Sequence, residues 1–399
     1  MNEMPLRGLR VLELGQLVAA PSVGRLLADF GADVIKVEPL SGDPLRHWGA
    51  GPTGSSWWWQ MQSRNKRLIA INLRTEAGQQ LARELAQCCD VLVENFRPGR
   101  LKQWDLHYEK VAEQNPGIVY ASISGFGQTG PYRERAGFGN IAESMGGIRY
   151  ITGFPDRPPV RTGVSVGDEI AALHAVIGIM FALHRRENTP DHQGDYVDVA
   201  LTESVLSISE GLMPDYLNGG LVQERIGNSL LRTAPSNIYP TRDGKWIAIG
   251  ANSPGTFPKL AQAMGRPDII DNPRYATNEG RVEYSHELDE VIAGWTQQQD
   301  INSLVELLGE SGVPAGPVMS AKDIAEDPQI AAREMVTFVP GEDGREVGVL
   351  NVVPKLKAAP GKVRTAGGSI GRDTDQVLRD VLNYSDDRIE ALRSTGVLR

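Results

Sequence analysis

The amino-acid sequence predicts an α/β protein: a Rossmann-like, doubly wound parallel sheet with a second, smaller α/β domain. Over residues 1–130, short β-branched runs alternate with helical patterns. Strands separated by helices of about 10–15 residues indicate right-handed βαβ units and a parallel sheet. The sequence pattern changes at Asn218, Gly219 and Gly220, which marks the start of the smaller domain. Strand-rich sequence returns near the C-terminus.

The elements of the large domain follow from local patterns. Strands are predicted from short runs rich in valine and isoleucine, and helices from apolar residues at helical spacing. Residues 168–184 are apolar nearly all round, which predicts a helix buried inside the protein. The predicted strands are 10–13, 33–37, 68–72, 91–94, 118–122 and 196–200, and the predicted helices are 22–30, 75–88, 168–184 and 202–217.

The smaller domain begins with a hairpin signal, because a turn at Asp243 and Gly244 separates two strand patterns. These strands are 236–240 and 245–249, and further helices are predicted at 257–264, 301–311 and 386–393. The predicted division is residues 1–205 for the large domain, 206–325 for linkers and the small domain, and 326–399 for a segment that returns to the large domain.

Composition narrows the class of function. The chain has 399 residues, 41% of them hydrophobic and 23% charged, as in a globular protein, and a formal charge of −9. The negative charge argues against a nucleic-acid partner. The longest apolar runs are shorter than the ~20 residues of a membrane span, and the N-terminus lacks the apolar core of a signal peptide. We therefore expect a cytoplasmic protein without a membrane partner.

The cysteines and histidines indicate neither a disulfide nor a metal site. Cys88 and Cys89 are adjacent in a helical pattern, where neighbouring side chains do not face each other. Their spacing from the histidines does not match a zinc motif, so no metal is expected.

A dinucleotide-type glycine pattern stands at residues 125–130 (GFGQTG). Binding of NAD would require a helix to begin inside that loop, so that the helix N-terminus meets the pyrophosphate. The sequence instead continues into the polar stretch PYRER, so we expect these glycines to shape a loop.

Asp168 is the strongest candidate for chemistry. It stands where a glycine-interrupted stretch, TGVSVGD at 162–168, meets the apolar helix. One interpretation is a helix N-cap, for which aspartate is favoured. The other is a nucleophile, because the N-terminus of a helix stabilises an ionised carboxylate. The same position is compatible with both interpretations.

Nine sequence blocks, in order, resemble the signatures of the family III CoA-transferases, the CaiB/BaiF proteins. Together they extend over residues 5–395. The blocks are LRVLEL with the following AAP, GADVIKVE at 31–38, GDPLR at 42–46, RNKR at 64–67, VENFRPG at 93–99, SGFGQTGP at 124–131, GVSVGD at 163–168, DVAL at 198–201 and SGVPAGP at 311–317.

The resemblance implies a reaction. In that family the aspartate that matches Asp168 is the nucleophile. It carries CoA from an acyl-CoA donor to a carboxylic acid through aspartyl anhydride and aspartyl-CoA thioester intermediates. The implied substrates are acyl-CoA and small carboxylates, with no permanently bound cofactor. The family also implies an interlocked homodimer, in which each chain threads through the other.

Contacts to CoA are implied residue by residue, in a large domain that binds CoA. Three match the first βα turn, where the pantetheine arm passes: Leu17, Val18 and Ala19. Two match the neighbourhood of the adenine, and two match a block near the pantetheine and diphosphate: Leu73, Arg74, Asn95 and Phe96. Arg97 and Arg100 are nearby cations that can supply positive charge.

The substrate side is less determined by the resemblance. Val18, Gln103, Ala136 and Gly139 stand where formyl-CoA:oxalate transferases carry glutamine, arginine, lysine and an acidic residue. In the amino-acid sequence of residues 124–131 and 135–140, the chain looks closer to enzymes that use succinyl-CoA and small dicarboxylates. A second carboxylate would need a cation, and Arg46 and Arg161 are the candidates. Trp48 and Trp58 match aromatic positions near the acyl group.

Two other functions remain open from the sequence. An α-methylacyl-CoA racemase shares this fold but needs a histidine to move a proton, and Phe138 occupies that position. A non-catalytic acyl-CoA-binding protein would carry Asp168 only as a helix cap. Trapping a covalent adduct at Asp168 separates that protein from a transferase.

Overall fold

A six-stranded parallel sheet organises the larger part of the chain, in a computed structural model that describes residues 4–51 and 55–399. The strand order is β3-β2-β1-β4-β5-β6, which confirms the predicted doubly wound sheet. The order reverses between β1 and β4, so the crevice beyond their carboxyl ends is the expected ligand position. The strands are β1 (Arg10–Glu13), β2 (Asp33–Glu38), β3 (Arg67–Ala70), β4 (Val91–Glu94), β5 (Val119–Ser124) and β6 (Asp195–Ala200).

Both faces of this sheet are buried, as expected for parallel strands. In β1, Val11 belongs to one hydrophobic cluster and Leu12 to the other, because successive side chains point to opposite faces. The helices of this part are α1 (Ala19–Asp29), α2 (Trp57–Gln62), α3 (Glu76–Gln87), α4 (Tyr108–Gln114), α5 (Gly139–Met145), α7 (Val166–Asn188) and α8 (Leu201–Ser207), and the short α6 (Ile148–Ile151) begins where the chain leaves this part.

The single helix predicted at 202–217 is wrong. Helix α8 ends at Ser207, and a separate helix α9 covers Leu212–Gly219. Between them Glu210 has a φ of 50°, which is in the left-handed region and is incompatible with a continuous right-handed helix. The apolar spacing continued across this break, and the spacing alone therefore predicted one helix.

Helix α7 is only partly buried, contrary to the prediction for residues 168–184. Its alanine-rich face, including Ala171 and Ala175, packs in the core. The opposite face leaves Leu173, Ile177 and Phe181 exposed by 52%, 47% and 71%. With a mean hydropathy of 1.7, α7 is also long and apolar enough to cross a membrane, a criterion that core helices of soluble proteins meet as well.

The chain forms two compact units. The first contains residues 1–148, 162–214 and 329–399, and the second contains Arg149–Arg161 and Asp215–Pro328. The sequence division at residues 205 and 325 did not separate Arg149–Arg161 from the large domain. The segment is short, and the single turn of α6 at its start gives no pattern in the sequence that would mark a change of unit.

The second unit contains an antiparallel sheet in the order β7-β8-β9. Tyr239 pairs with Ile247 in the hairpin, and both side chains lie in that unit's own core. Its strands are β7 (Ser236–Pro240), β8 (Trp246–Gly250) and β9 (Ala315–Pro317), and its helices are α10 (Phe257–Ala263), α11 (Asn278–Glu283), α12 (Ser285–Thr296), α13 (Ile301–Glu310) and α14 (Ala321–Glu326). The following α15 (Pro328–Ala332) begins where the chain returns to the first unit.

The C-terminal segment belongs to the first unit. It contains a hairpin, β10 (Val336–Pro340) and β11 (Glu346–Leu350), and two helices, α16 (Thr374–Leu382) and α17 (Asp386–Ser394). Val377 and Leu378 of α16 lie in the same hydrophobic cluster as the sheet. The Leu68 N–H donates to the Asp373 carboxylate at 2.7 Å, and Leu398 forms a bridge with Ile71.

Candidate active site

Two loops meet at the point where the strand order reverses. The turn between β1 and α1 follows one strand, and Asn95 follows β4. The Gln16 N–H donates to Asn95 Oδ1 at 2.9 Å, and Asn95 Nδ2 donates to the Gln16 carbonyl at 2.9 Å. Both polar atoms of the Asn95 amide therefore hold the neighbouring backbone, so Asn95 shapes the turn that was expected to receive CoA.

The three predicted contacts in the first turn lie at this carboxyl edge. Leu17 has a φ of 65°, and its N–H donates to the Asp43 carboxylate at 3.2 and 3.3 Å. The Val18 carbonyl accepts a hydrogen bond from Gln62 Nε2 at 3.0 Å. Ala19 is the first residue of α1 and is buried. The backbone of Leu17 and Val18, more than their side chains, is fixed by other parts of the fold.

Phe96, Arg97 and Arg100 follow β4 along the same edge. The Phe96 ring packs edge-to-face on Trp104 with 5.5 Å between ring centres, and the Arg100 guanidinium lies 4.9 Å from the Trp104 ring centre. Arg97 and Arg100 are exposed. These residues form an aromatic surface with positive charge beside the crevice.

Glu94, at the end of β4, is the buried acid nearest to this surface. The Phe96 N–H donates to its carboxylate at 2.6 Å, and its side chain is 5% exposed. Burial raises the pKa of Glu94 to about 7, against a hydrogen bond from Ser122 and the Phe96 N–H. Its charge therefore changes near neutral pH.

Leu73 and Arg74 lie in the connection from β3 to α3. Leu73 is half-buried and packs against the core, whereas Arg74 is exposed. The Arg74 N–H donates to Asn72 Oδ1 at 3.2 Å, which orders the backbone while the guanidinium faces solvent. This exposed cation stands at the position that the resemblance places near the adenine.

Asp168 lies in the first turn of α7, where it is half-buried. Helix α7 begins at Val166 with Ser165 at its N-cap position, so Asp168 is the third helical residue and not the cap. A methyl group added at Gly139 would lie 2.0 Å from Asp168 Oδ2. Only a residue without a side chain at 139 leaves room for the carboxylate in this position.

Glu169, the next residue, connects the first turn of α7 to the turn after β1. Ser22 Oγ donates to Glu169 at 2.9 Å, and Arg25 Nη2 donates to it at 3.2 Å. Gln62 Nε2 donates both to Ser22 Oγ, at 2.7 Å, and to the Val18 carbonyl. A short hydrogen-bonded chain thus leads from the neighbour of Asp168 to Val18.

Arg46 is not available to a substrate carboxylate, contrary to the expectation from the sequence. It is 2% exposed and makes a bidentate pair with Glu38, with N–O distances of 2.7 and 2.6 Å. Its third nitrogen donates to the Gly368 carbonyl at 2.9 Å, and its plane lies over Trp59. The sequence could not reveal Glu38 as the partner, because only the fold shows that the chain after β2 turns so that Arg46 lies against the end of this strand.

The remaining predicted substrate residues lie in different places. Trp48 is 45% exposed, and its ring centre is 6.1 Å from that of Trp58. Phe138 is 66% exposed and immediately precedes Gly139. Arg161 is exposed in the second unit. The structure therefore groups Phe138 with Asp168 in one unit and pairs the two tryptophans.

The glycine pattern at 125–130 serves a loop, as expected. It follows β5, and the next helix, α5, begins at Gly139. A Cβ at Gly125 would lie 2.9 Å from the Gly137 Cα, so the two backbones are in close contact at the base of the loop. In the described ranges 4–51 and 55–399, no group of three metal-binding side chains was found.

Comparison with known proteins decides the family. The sequence model of CoA-transferase family III matches residues 6–374. The chain belongs to this family. It is therefore an enzyme of the CoA-transferase class, and the resemblance drawn from the nine blocks is confirmed. Enzymes of this class take an acyl-CoA as substrate, which agrees with the expectation for CoA.

The curated relatives of this CoA-transferase cover nearly the full chain. A succinyl-CoA–D-citramalate CoA-transferase of Chloroflexus aurantiacus is 47% identical over 99% of this chain and 98% of the relative. A succinate–glutarate CoA-transferase of Agrobacterium fabrum is 34% identical over 94% and 96%. A crystal structure of a CAIB/BAIF family protein from Brucella suis has a TM-score of 0.85 and 35% identity, with 95% and 100% covered.

Several residues near the site were missed by the sequence interpretation. Asp43, Gln62 and Glu169 bind backbone or side-chain groups around the turn after β1. The sequence did contain one signal of buried polar contacts here. Glu13 and Lys36 are charged residues inside otherwise apolar strands, which indicates that they are buried and paired with groups of opposite charge. Their partners remained unknown because they are distant in sequence.

Proposed function

We propose that this CoA-transferase moves CoA from succinyl-CoA to a small carboxylic or dicarboxylic acid, with Asp168 as the covalent nucleophile. The position of Asp168 carries the proposal: its carboxylate lies in the first turn of a 23-residue helix and against Gly139. The N-terminal end of a helix favours a negative charge, which suits a carboxylate nucleophile. The relatives named for succinyl-CoA, D-citramalate and glutarate support the substrate class.

The chemistry proceeds in four exchanges. An Asp168 oxygen attacks the thioester carbonyl, the C–S bond breaks, and an aspartyl–acyl anhydride and the CoA thiolate form. The thiolate attacks the aspartyl carbonyl and releases the donor acid, leaving an aspartyl-CoA thioester. The acceptor carboxylate attacks this thioester to form a second anhydride and thiolate. The thiolate then attacks the acceptor acyl carbon and regenerates Asp168, so each difficult step is divided.

These intermediates require a site that excludes water and stabilises oxyanions. The glycine-rich stretch 137–139, whose Gly139 touches Asp168, would offer backbone N–H groups for that purpose. Position 138 holds phenylalanine, which has no proton to exchange, so the histidine that a racemase needs is missing and the proposal of group transfer is favoured.

We also propose that the enzyme is an interlocked homodimer, as the family resemblance implied. The exposed apolar face of α7, formed by Leu173, Ile177 and Phe181, supports this assembly. Large exposed apolar patches are unfavourable in water and mark protein interfaces. A second copy of the chain is the partner that would cover this face.

Transfer of an oxygen atom tests the nucleophile directly. When an acceptor acid labelled with oxygen-18 reacts, the proposed route leaves one labelled oxygen in the Asp168 carboxyl group. The intact enzyme is incubated with succinyl-CoA and labelled acceptors (citramalate, malate, glutarate and oxalate), and the peptide that contains Asp168 is analysed by mass spectrometry. New acyl-CoA masses in the same samples identify the preferred acceptor.

The matched control is Asp191→Asn, since Asp191 is an exposed aspartate beyond the other end of α7. We expect this variant to retain full exchange and Asp168→Asn to lose it. Full exchange activity in a folded Asp168→Ala enzyme, or label absent from Asp168 in an active wild type, overturns the mechanism.

A further inference from the structure

The backbone of the turn between β1 and α1 is held at consecutive residues by side chains from elsewhere in the first unit. Lys36 donates to the Gly15 carbonyl, and Asn95 binds both backbone groups of Gln16. The next N–H, that of Leu17, donates to Asp43, and the next carbonyl, that of Val18, accepts from Gln62. Connecting loops usually run over the surface with their polar groups toward solvent, whereas side chains bind the polar groups of this loop.

Asp43 has the central place among these contacts. Its carboxylate is 1% exposed and accepts from the Leu17 and Leu45 N–H groups. Lys36 Nζ, which is fully buried, donates to the same carboxylate at 2.8 Å and lies 3.2 Å from Glu13. A buried charge is maintained only where a partner and hydrogen bonds compensate its lost hydration, and Asp43 has both.

The protonation states agree with this geometry. Burial alone would lower the pKa of Lys36, but the carboxylates of Asp43 and Glu13 hold it above its ordinary value. Burial would raise the pKa of Asp43, and the Lys36 ammonium together with the Leu45 and Leu17 N–H groups lowers it. Both groups therefore stay charged at neutral pH.

Leu17 needs such support because its conformation is unfavourable. Its φ of 65° lies in the left-handed region, where the Cβ of any residue other than glycine is crowded by the backbone. A non-glycine residue keeps this conformation only where its surroundings impose it. The hydrogen bond from the Leu17 N–H to the Asp43 carboxylate restrains the backbone at this residue.

We propose that Asp43 is a positioning residue for coenzyme A: through the Leu17 N–H it holds the turn of residues 15–18 in the shape that receives the thiol arm. Asp43 acts through the turn and does not itself touch the substrate. The inference rests on the proposed contact between CoA and residues 17–19. It goes beyond that contact by assigning a role to the buried pair of Lys36 and Asp43.

Binding of free coenzyme A tests this role without any chemistry at Asp168. Calorimetric titration of the full-length enzyme gives the Kd of the wild type and of Asp43→Ala, Asp43→Asn and Asp29→Ala. We expect Asp43→Ala to raise the Kd at least tenfold. Asp43→Asn keeps one acceptor oxygen for the backbone but loses the charge that Lys36 requires, so its Kd is expected between the two.

Asp29→Ala is the matched control. Asp29 is also a fully buried aspartate, and it pairs with the cation of Arg64 at 2.6 Å. It is the last residue of α1 and lies at the end of the helix away from the turn of residues 15–18. Its loss should lower the melting temperature without changing the Kd for coenzyme A. A purely structural role for Asp43 would give both variants the same behaviour.

Hydrogen exchange gives a second measurement, which separates a local effect on the turn from a general loss of stability. We expect faster exchange in the peptide of residues 14–22 for Asp43→Ala than for Asp29→Ala, and slower exchange there when CoA binds to the wild type. If Asp43→Ala does not fold, Asp43→Asn provides the same comparison.

The outcomes are distinguishable. If the wild type binds CoA and the folded Asp43 variants bind it equally well, the positioning role is wrong. If the wild type does not bind CoA, or binds it without protection of residues 14–22, the proposed contact itself fails and the inference fails with it.

Discussion

Gly139 and Asp168 touch, although 29 positions separate them in sequence: a Cβ at residue 139 would lie 2.0 Å from Asp168 Oδ2 and 2.8 Å from its carboxyl carbon. The first residue of α5 therefore borders the carboxylate in the first turn of α7. Because the carboxyl group is at the end of a flexible side chain, an added methyl group would displace it more easily than it would displace the backbone.

Gly139→Ala should lower kcat about 100-fold, since a displacement near 1 Å at a reacting group has effects of this size. The melting temperature should change little, because alanine is the better helix residue. Gly294→Ala, in α12, is the control, as open space surrounds its added methyl group among the described residues. Unchanged kcat in Gly139→Ala would contradict the proposed role of the Asp168 carboxylate.

Glu169→Ala should slow formation of the aspartyl adduct about tenfold. Without the hydrogen bonds from Ser22 and Arg25, the first turn of α7 is less restrained, so the Asp168 side chain is held less firmly in its position. Rapid-quench mass spectrometry measures the adduct. Glu187→Ala, in the last turn of the same helix, should leave its rate at the wild-type value.

Glu94 should make stability depend on pH. Its pKa is raised from 4.5 to about 7, so the folded protein holds this proton more tightly than the unfolded chain does. The resulting stabilisation is complete below the ordinary pKa and is lost as the pH rises to 7. Relative to the wild type, Glu94→Gln should therefore gain roughly 3 kcal/mol of unfolding free energy between pH 4.5 and 8. Denaturant unfolding at several pH values measures this, and a difference that stays constant with pH would sink the assignment.

Arg46→Ala should destabilise the protein by about 3–5 kcal/mol, because it leaves the Glu38 carboxylate buried without its partner. The ratio of kcat/KM for dicarboxylate and monocarboxylate acceptors should not change, since Arg46 does not reach the substrate in this arrangement. Thermal unfolding and acceptor kinetics test the two parts. A selective loss of dicarboxylate activity would restore the interpretation made from the sequence.

Phe181→Glu should hinder assembly of the proposed interlocked dimer, so that less dimer is recovered after unfolding and refolding than for the wild type. The substitution places a charge in the most exposed part of the apolar face of α7, where Phe181 is 71% exposed. Sedimentation gives the mass in solution. Phe338→Glu, at a 63% exposed phenylalanine in β10, serves as the comparison and should keep the wild-type recovery of dimer. A wild type that sediments as a monomer would refute the dimer.

Local pattern was sufficient for the main elements. Strands β1 and β4 begin and end where the sequence predicts, because each is a short apolar run between polar ones. The family and the CoA-transferase class also followed from the sequence, as ordered blocks carry that information. The break between α8 and α9 did not follow, because the left-handed Glu210 leaves no mark in the apolar spacing.

The sequence by itself determined the α/β class, the parallel sheet, the family and Asp168 as the residue to test. Only the tertiary structure decided which charged side chains are paired within the protein and which groups are in contact. It placed Arg46 against Glu38, Asp43 under the Leu17 N–H and Gly139 against Asp168. The physical reason is range: strand and helix patterns depend on neighbours in sequence, whereas ion pairs and close contacts depend on segments that only folding brings together.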